Sequence, residues 1–391
     1  MENFVYNITT RYVFGRDTHL QAGEQVAAFG GKKVLIHYGS RHAKASGLID
    51  QVKESLDRAG IESVELGGVL PNPRLSLVYE GIELCRRQNV DFILAVGGGS
   101  VLDSAKAIGI GVPYGGDVWD CYDADINLVL SESLPTAVVL TIPGAGSESS
   151  GGSVITREED NLKRDAKTPL CKFAILNPEL TFTLPAYQTA AGGCDAIVHI
   201  MERYFSPVKD AYVVDRNAEA LMASLMHLLP LAIENPDDYA TRANIMWACT
   251  LAHNNSVGVG KINDFASHRI EHELSGLYDI THGAGLCIVI PAWMKFTYKH
   301  DLRRYADYAK GVFGIDDPAM PDEEKALAAI AETEAFFRSV GMPTRLSEAG
   351  IDDAHFEKMA TLTERNAGSD KVGFFAQLST ADIVEILKLA L

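Results

Sequence analysis

Asp91-Phe92-Ile93-Leu94-Ala95-Val96-Gly97-Gly98-Gly99-Ser100-Val101-Leu102-Asp103 is the stretch that decides the fold class. The run through Val96 has the length and apolar content of a strand buried on both faces. Beyond the glycines, Ser104, Ala105, Lys106, Ala107 and Ile108 continue at helical spacing. Strand, glycine turn and helix form the setting of a phosphate cradle. Glycine lets the backbone approach a pyrophosphate, and the helix start offers free N–H groups and a positive dipole end. Three glycines also suit a plain tight turn. The stretch misses G-x-G-x-x-G because Leu102 holds the last glycine position, and no G-x-x-x-x-G-K-[ST] occurs, so a P-loop is excluded.

Outward from this core, Lys33 to Tyr38, Ser63 to Leu66, Ala137 to Thr141 and Lys172 to Leu176 read as further strands. Leu48, Ile49, Val52 and Leu56, then Leu75, Val78, Ile82 and Cys85, give amphipathic helices between them. The alternation predicts a mostly parallel, Rossmann-like α/β sheet covered on both faces. After Thr181-Phe182-Thr183-Leu184-Pro185 the periodicity turns helical, over residues 211–233, 238–255 and 322–340, and in a last helix started by Ser379-Thr380. The expected architecture is therefore α/β plus all-α: a dinucleotide-binding domain at 1–185 and an all-helical metal-binding and catalytic domain at 186–391.

The 391 residues are 47% hydrophobic and 22% charged, enough for more than one core. A net charge of −17 repels phosphate backbones and anionic lipid, so nucleic acid is not an expected partner. The six cysteines stand singly with no C-x-x-C, which suggests reduced thiols. No run approaches the roughly 20 apolar residues of a membrane span, and Met1-Glu2-Asn3-Phe4 does not open a signal peptide. A soluble, cytoplasmic protein with no membrane partner is expected.

Two further features carry chemistry. Thr141-Ile142-Pro143-Gly144-Ala145-Gly146-Ser147-Glu148 follows a strand and offers hydroxyls beside flexible backbone, suited to ribose, phosphate or a nicotinamide amide. In the helical half, Asp195 and His199 stand four apart, as do His268 and His272, and His282 follows. Spacing by four puts each pair on one helix face. One carboxylate and several neutral imidazoles suit a borderline ion such as Fe²⁺ or Zn²⁺ with a position left open for a substrate oxygen. Helix caps and core hydrogen bonds are the other use of such pairs. H-E-x-x-H is absent, so a zincin protease is not indicated.

Together these segments, with Asn72-Pro73, Asn177-Pro178, Glu273, Tyr278, His282-Gly283-x-Gly285 and Pro291-Ala292-Trp293, resemble the iron-containing (group III) alcohol dehydrogenase family over essentially the whole chain. The likeness is to its NADPH-dependent, butanol dehydrogenase-like branch, with a dehydroquinate synthase-like architecture. The resemblance implies that Asp195, His199, His268 and His282 hold one Fe²⁺ or Zn²⁺. His272 then faces the substrate as a non-ligand and candidate proton carrier. It also implies cofactor contacts at Gly97, Gly98, Gly99, Ser100, Asp103, Thr141 and Ser147, a small alcohol or aldehyde substrate, and a homodimer using the Phe4 to Phe14 segment. The family commonly has Thr where this chain has Ala145, and the loop around Lys163 is shorter than in relatives. The alternatives are a lyase of the dehydroquinate synthase type, which should hold its anionic substrate with lysine and arginine, and a polyol dehydrogenase. Lys261 and Arg269 are the only such residues between 253 and 282.

Cofactor choice is read from His37-Tyr38-Gly39-Ser40-Arg41. An acidic residue at the end of such a strand binds the ribose and repels a 2′-phosphate. None stands here; Gly39 leaves room, Ser40 offers a hydroxyl, and Arg41 or Lys44 offers positive charge. The expectation is NADP(H) in preference to NAD(H).

Overall fold

The computed structural model describes residues 1–39 and 41–391, with Arg41 and His42 described in backbone only. Ser40 therefore lies outside the described residues. The chain forms two compact units, Asn7–Leu184 with Asp237–Thr250, and Met1–Tyr6 with Pro185–Pro236 and Leu251–Leu391.

In the first unit the strands are β1 (Arg11–Phe14), β2 (Lys33–Tyr38), β3 (Glu62–Leu66), β4 (Phe92–Gly98), β5 (Thr136–Ile142), β6 (Gly152–Arg157), β7 (Leu162–Lys167) and β8 (Phe173–Leu176). Six of them make one parallel sheet in the order β1-β8-β5-β4-β2-β3, while β6 and β7 form a separate antiparallel hairpin. The sheet is as periodicity predicts. Neither β1 nor the hairpin was expected: β1 is only four residues long, and the hairpin is largely polar, turning through Asn161 at φ 58°.

The helices are α1 (Ala22–Ala28), α2 (Arg41–Ala45), α3 (Leu48–Arg58), α4 (Leu75–Gln88) and α5 (Gly99–Gly111). Alternate side chains sort onto the two faces of the sheet. Leu35, Ile93, Ala95, Val138 and Leu140 pack with Val78 and Ile82 of α4 and Leu102 and Ile108 of α5. Val34, Ile36, Leu94, Val96 and Val139 pack with Val26 of α1 and Val52 and Leu56 of α3. Every residue of β4 is buried, which is why its sequence is continuously apolar and not alternating. Because β2 lies between β3 and β4, the strand order reverses there, and such a switch point opens a crevice at the carboxyl ends of the strands.

The second unit is built from α6 (Ala186–Tyr204), α7 (Tyr212–Glu234), the end of α8 (Tyr239–His253), α9 (Ala266–Tyr278), α10 (His282–Thr297), α11 (Leu302–Phe313), α12 (Asp322–Ser339), α13 (Phe356–Ala367) and α14 (Thr380–Leu389). The residues of α8 up to Thr250 group with the sheet unit. Buried α10 packs on α6, α9, α12 and α14. At α14, Ser379 and Asp382 complete the capping box that its sequence announces. Among the described residues no helix is long and apolar enough to cross a membrane, and all six cysteines are buried free thiols.

The α6–α10 contact is unusually close, since a Cβ on Gly283 would lie 2.1 Å from the backbone oxygen of Ala191. Gly283→Ala is expected to destabilise the protein by about 1–3 kcal/mol through overpacking. Gly99→Ala, where the nearest atom to a Cβ is 3.9 Å away, should be close to neutral apart from helix-start effects. Urea denaturation of the two variants checks the contrast, and equal midpoints would refute it.

Candidate active site

Helix α6 carries Asp195 and His199, α9 carries His268 and His272, and α10 begins at His282. Their packing gathers one carboxylate oxygen and three imidazole nitrogens. Asp195 Oδ1 lies 3.4 Å from His199 Nε2, 3.9 Å from His268 Nε2 and 3.8 Å from His282 Nε2. The Nε2 atoms of His199 and His268 are 3.2 Å apart. Ligand atoms of Asp195, His268 and His282 all fall within 4.8 Å of one another.

These separations suit a shared cation. Bonds of about 2.0–2.1 Å in tetrahedral geometry put ligand atoms about 3.4 Å apart. The chemistry agrees, because His282 donates its Nδ1–H to the Glu271 carboxylate, leaving a bare Nε2 lone pair toward Asp195 Oδ1, also an acceptor. Two acceptors facing each other in a buried site are satisfied by a positive ion between them. Burial, then the neighbouring His268, holds His199 well below the usual histidine range, so its ring is neutral as a metal requires.

Around this cluster stand groups that spacing alone had not singled out. Glu202 accepts the His268 backbone N–H at 3.1 Å and approaches its Nδ1 at 3.2 Å, off the line of a good hydrogen bond. Glu271 is completely buried and also accepts from Ser275 Oγ. The available signal was a glutamate three residues after His199 and another three after His268. Arg203 donates to His199 O at 2.6 Å and to His253 Nδ1 at 2.8 Å, which assigns His253 a place against the cluster, 4.3 Å ring to ring from His199. His272 is buried with its ring 5.9 Å from that of His282.

Helix α9 is aimed by the turn before it. Phe265 sits at φ 57°, a conformation a bulky residue adopts only when held there, and Asp264 supplies the hold by accepting N–H groups from Phe374 at 2.6 Å and Phe375 at 2.7 Å. Burial, then the Glu202 carboxylate, pushes Asp264 up to about 7.

In the sheet unit the glycines divide by purpose. A Cβ on Gly97 would meet Val101 Cγ2 at 2.4 Å and one on Gly98 would meet Ile142 Cβ at 2.9 Å, so both are required by the turn itself. Gly99 is not crowded, a Cβ there meeting only Ser147 Cβ at 3.9 Å, and the first turn of α5 has neither a side-chain cap nor an acidic residue. Gly39 adjoins this turn, with Val101 Cγ2 3.4 Å from its ideal Cβ position. Tyr38, Gly39, Lys44, Gly67, Gly68 and Val69 help to line an open cleft of about 820 Å³. Lys44 there donates to Glu65 at 2.9 Å.

Asp103 and Ser147 are bound to each other: Ser147 Oγ donates to Asp103 Oδ1 at 2.7 Å, and Val154 N–H to Asp103 Oδ2 at 3.1 Å. Fully buried Lys106 donates to the carbonyls of Ser147, Ser150 and Gly152 at 2.7, 2.9 and 2.8 Å. These bonds shape the loop after β5 and bring Ser147 beside Gly99. Thr141 lies half-buried near the end of β5, Ala145 is half-buried in the loop, and Lys163 is buried on β7. Lys261 is committed to Tyr204 O and the Asp215 carboxylate, and so is not available to hold an anionic lyase substrate.

Comparison with known proteins agrees along the chain. Residues 9–178 match the family model described as iron-containing alcohol dehydrogenase, and residues 189–391 match that of the family's C-terminal part. The chain is 41% identical to NADH-dependent butanol dehydrogenase A of Clostridium acetobutylicum, covering 99% of both, and 38% identical to an NADPH-dependent aldehyde reductase of Escherichia coli, covering 90% of both. The crystal structure of NADH-dependent butanol dehydrogenase A from Thermotoga maritima superposes with a TM-score of 0.95 at 40% identity, over 100% of this chain and 99% of that one. The parallel sheet followed by a helical part is the dehydroquinate synthase-like fold. With both of its parts matched and relatives aligned end to end, the chain belongs to the iron-containing alcohol dehydrogenase family, among its butanol dehydrogenase-like members.

Proposed function

We propose that this chain is an NAD(P)H-linked alcohol dehydrogenase and aldehyde reductase acting at a metal centre held by Asp195, His199, His268 and His282. The observation that carries the reading is the crowding of three imidazole Nε2 atoms within 3.4–3.9 Å of one carboxylate oxygen. A divalent ion, Fe²⁺ or Zn²⁺, supplies Lewis acidity toward the substrate oxygen there, and a reduced nicotinamide supplies the hydride. Relatives named for butanol and for aldehyde support a small alcohol or aldehyde as substrate.

The chain's own residues do the rest. Asp195 brings the negative charge and the neutral imidazoles the remaining lone pairs. His272, buried beside His282, gives a proton from an imidazole nitrogen to the substrate oxygen in reduction and takes it back in oxidation. Gly97, Gly98, Gly99 and Ser100 present the start of α5 to the pyrophosphate, Thr141 and the Ser147 loop adjoin it, and Asp103 holds that loop. The lack of a side chain at Gly39 and the presence of Lys44 in the adjoining cleft support NADPH in preference to NADH. The open edge of β1 and the exposed Phe4, Val5 and Tyr6 support a homodimer.

Oxidation of NADPH by a simple aldehyde in the metal-loaded protein tests the activity. His268→Ala and His199→Ala are expected to lose tightly bound metal and to drop turnover more than about 100-fold while still binding nucleotide. Metal content and NADPH affinity, measured on the same samples, decide this; full occupancy with normal turnover in either variant sinks the ligand assignment.

His272→Ala should keep its metal yet slow turnover by about 10²–10⁴-fold or displace its pH profile. Metal loss equal to that of His268→Ala would mark His272 as a ligand.

Gly39→Asp fits sterically, with the nearest atoms 3.4 Å from the added Cβ, and places a carboxylate where a 2′-phosphate would lie. It should reverse or abolish the preference for NADPH. The kcat/KM ratio for the two cofactors, parent against variant, is the measure; equal use by the parent or an unchanged ratio refutes the reading.

A further inference from the structure

We propose that Glu202 and Glu271 are positioning residues that hand orientation from one ligand-bearing helix to the next, so that the metal site is assembled as a relay from α6 through α9 to α10. The proposal rests on the metal reading above. Each glutamate follows a candidate ligand by three residues, Glu202 after His199 and Glu271 after His268. Neither serves the histidine on its own helix in the contacts described: Glu202 on α6 reaches His268 on α9, and Glu271 on α9 reaches His282 on α10. Each ligand-bearing helix after α6 is thus held by a carboxylate from the ligand-bearing helix that precedes it.

The second link is the better built. Glu271 is wholly buried, which is unfavourable for a carboxylate unless its oxygens are occupied. Ser275 Oγ donates to Oε1 and His282 Nδ1–H to Oε2. The chain also leaves space for it, since a Cβ on Gly285 would lie 2.7 Å from Oε1 and 2.9 Å from Cγ. Donation from Nδ1 fixes the tautomer of His282, so Nε2 carries the lone pair, and the adjacent negative charge raises the ring's strength as a donor. In the first link, Glu202 grips the backbone N–H of His268 as well as approaching its ring, fixing where α9 begins relative to α6.

The test uses the full-length protein stripped of metal and reloaded with Zn²⁺ or Co²⁺. Zn²⁺ affinity is measured by competition with a chromophoric chelator, and the Co²⁺ visible spectrum reports ligand geometry. Glu271→Ala should weaken Zn²⁺ binding about 10–100-fold and alter the Co²⁺ spectrum. Glu271→Gln, whose amide oxygen still accepts from Nδ1–H, should recover part of the affinity and most of the spectrum. Gly285→Ala should resemble Glu271→Ala, because its methyl group displaces the carboxylate. Glu202→Ala, which removes the acceptor for the His268 N–H, should weaken Zn²⁺ binding while nucleotide affinity stays at the parent value. Unchanged Zn²⁺ affinity and Co²⁺ spectrum in folded Glu271→Ala overturn the relay, as they do in Gly285→Ala if the Glu271 variant does not fold. Equal losses in Glu271→Gln and Glu271→Ala overturn it too, by making the role one of general packing. A parent protein that binds neither ion overturns the metal reading itself, and the relay with it.

Discussion

One carboxylate oxygen with three imidazole nitrogens crowded about it is the constraint to which the helical unit is built. Lone pairs turned toward one another repel, and a cation shared among them removes that repulsion. The surroundings nevertheless hold them together: α6 and α10 touch backbone to backbone at Ala191 and Gly283, and Asp264 pins the turn that launches α9. Such packing makes sense when a cation offsets the repulsion. Burial keeps the His199 imidazole neutral and able to donate a lone pair.

The glycines of His282-Gly283-x-Gly285 then acquire separate physical reasons. Gly283 admits the backbone of α6, and Gly285 admits the carboxylate of Glu271. In the sheet unit the glycines after β4 divide in the same way, with Gly97 and Gly98 demanded by Val101 and Ile142 and Gly99 left open. A glycine-rich motif thus mixes residues that the packing requires with one that it does not. Only the space around each distinguishes them.

Buried polar groups do comparable work in the sheet unit. Lys106 is enclosed by carbonyl oxygens of the loop after β5, and Asp103 receives Ser147 and the backbone of β6. His37 on β2 donates Nδ1–H to Leu66 O and accepts from Ser104, and burial pushes it down to about 4, so it ties β3 and α5 to β2 as a neutral ring. These bonds orient the loops at the carboxyl ends of β2, β4 and β5, where a dinucleotide is expected to lie.

The sequence by itself determined the parallel sheet, because a strand buried on both faces must be continuously apolar and helices between such strands must show a 3.6-residue stripe. It also determined that Asp195 and His199 share a face, as do His268 and His272, since that follows from helix geometry alone. Short β1 and the polar β6–β7 hairpin left no comparable trace. Nor could spacing reveal that Glu202 serves His268, that Glu271 serves His282, or that Asp103 and Ser147 bind each other, because those pairs join residues 66, 11 and 44 positions apart through packing between elements. Periodicity reports which face of an element is buried; what that face meets is decided by tertiary contacts, and in this protein those contacts orient the donors.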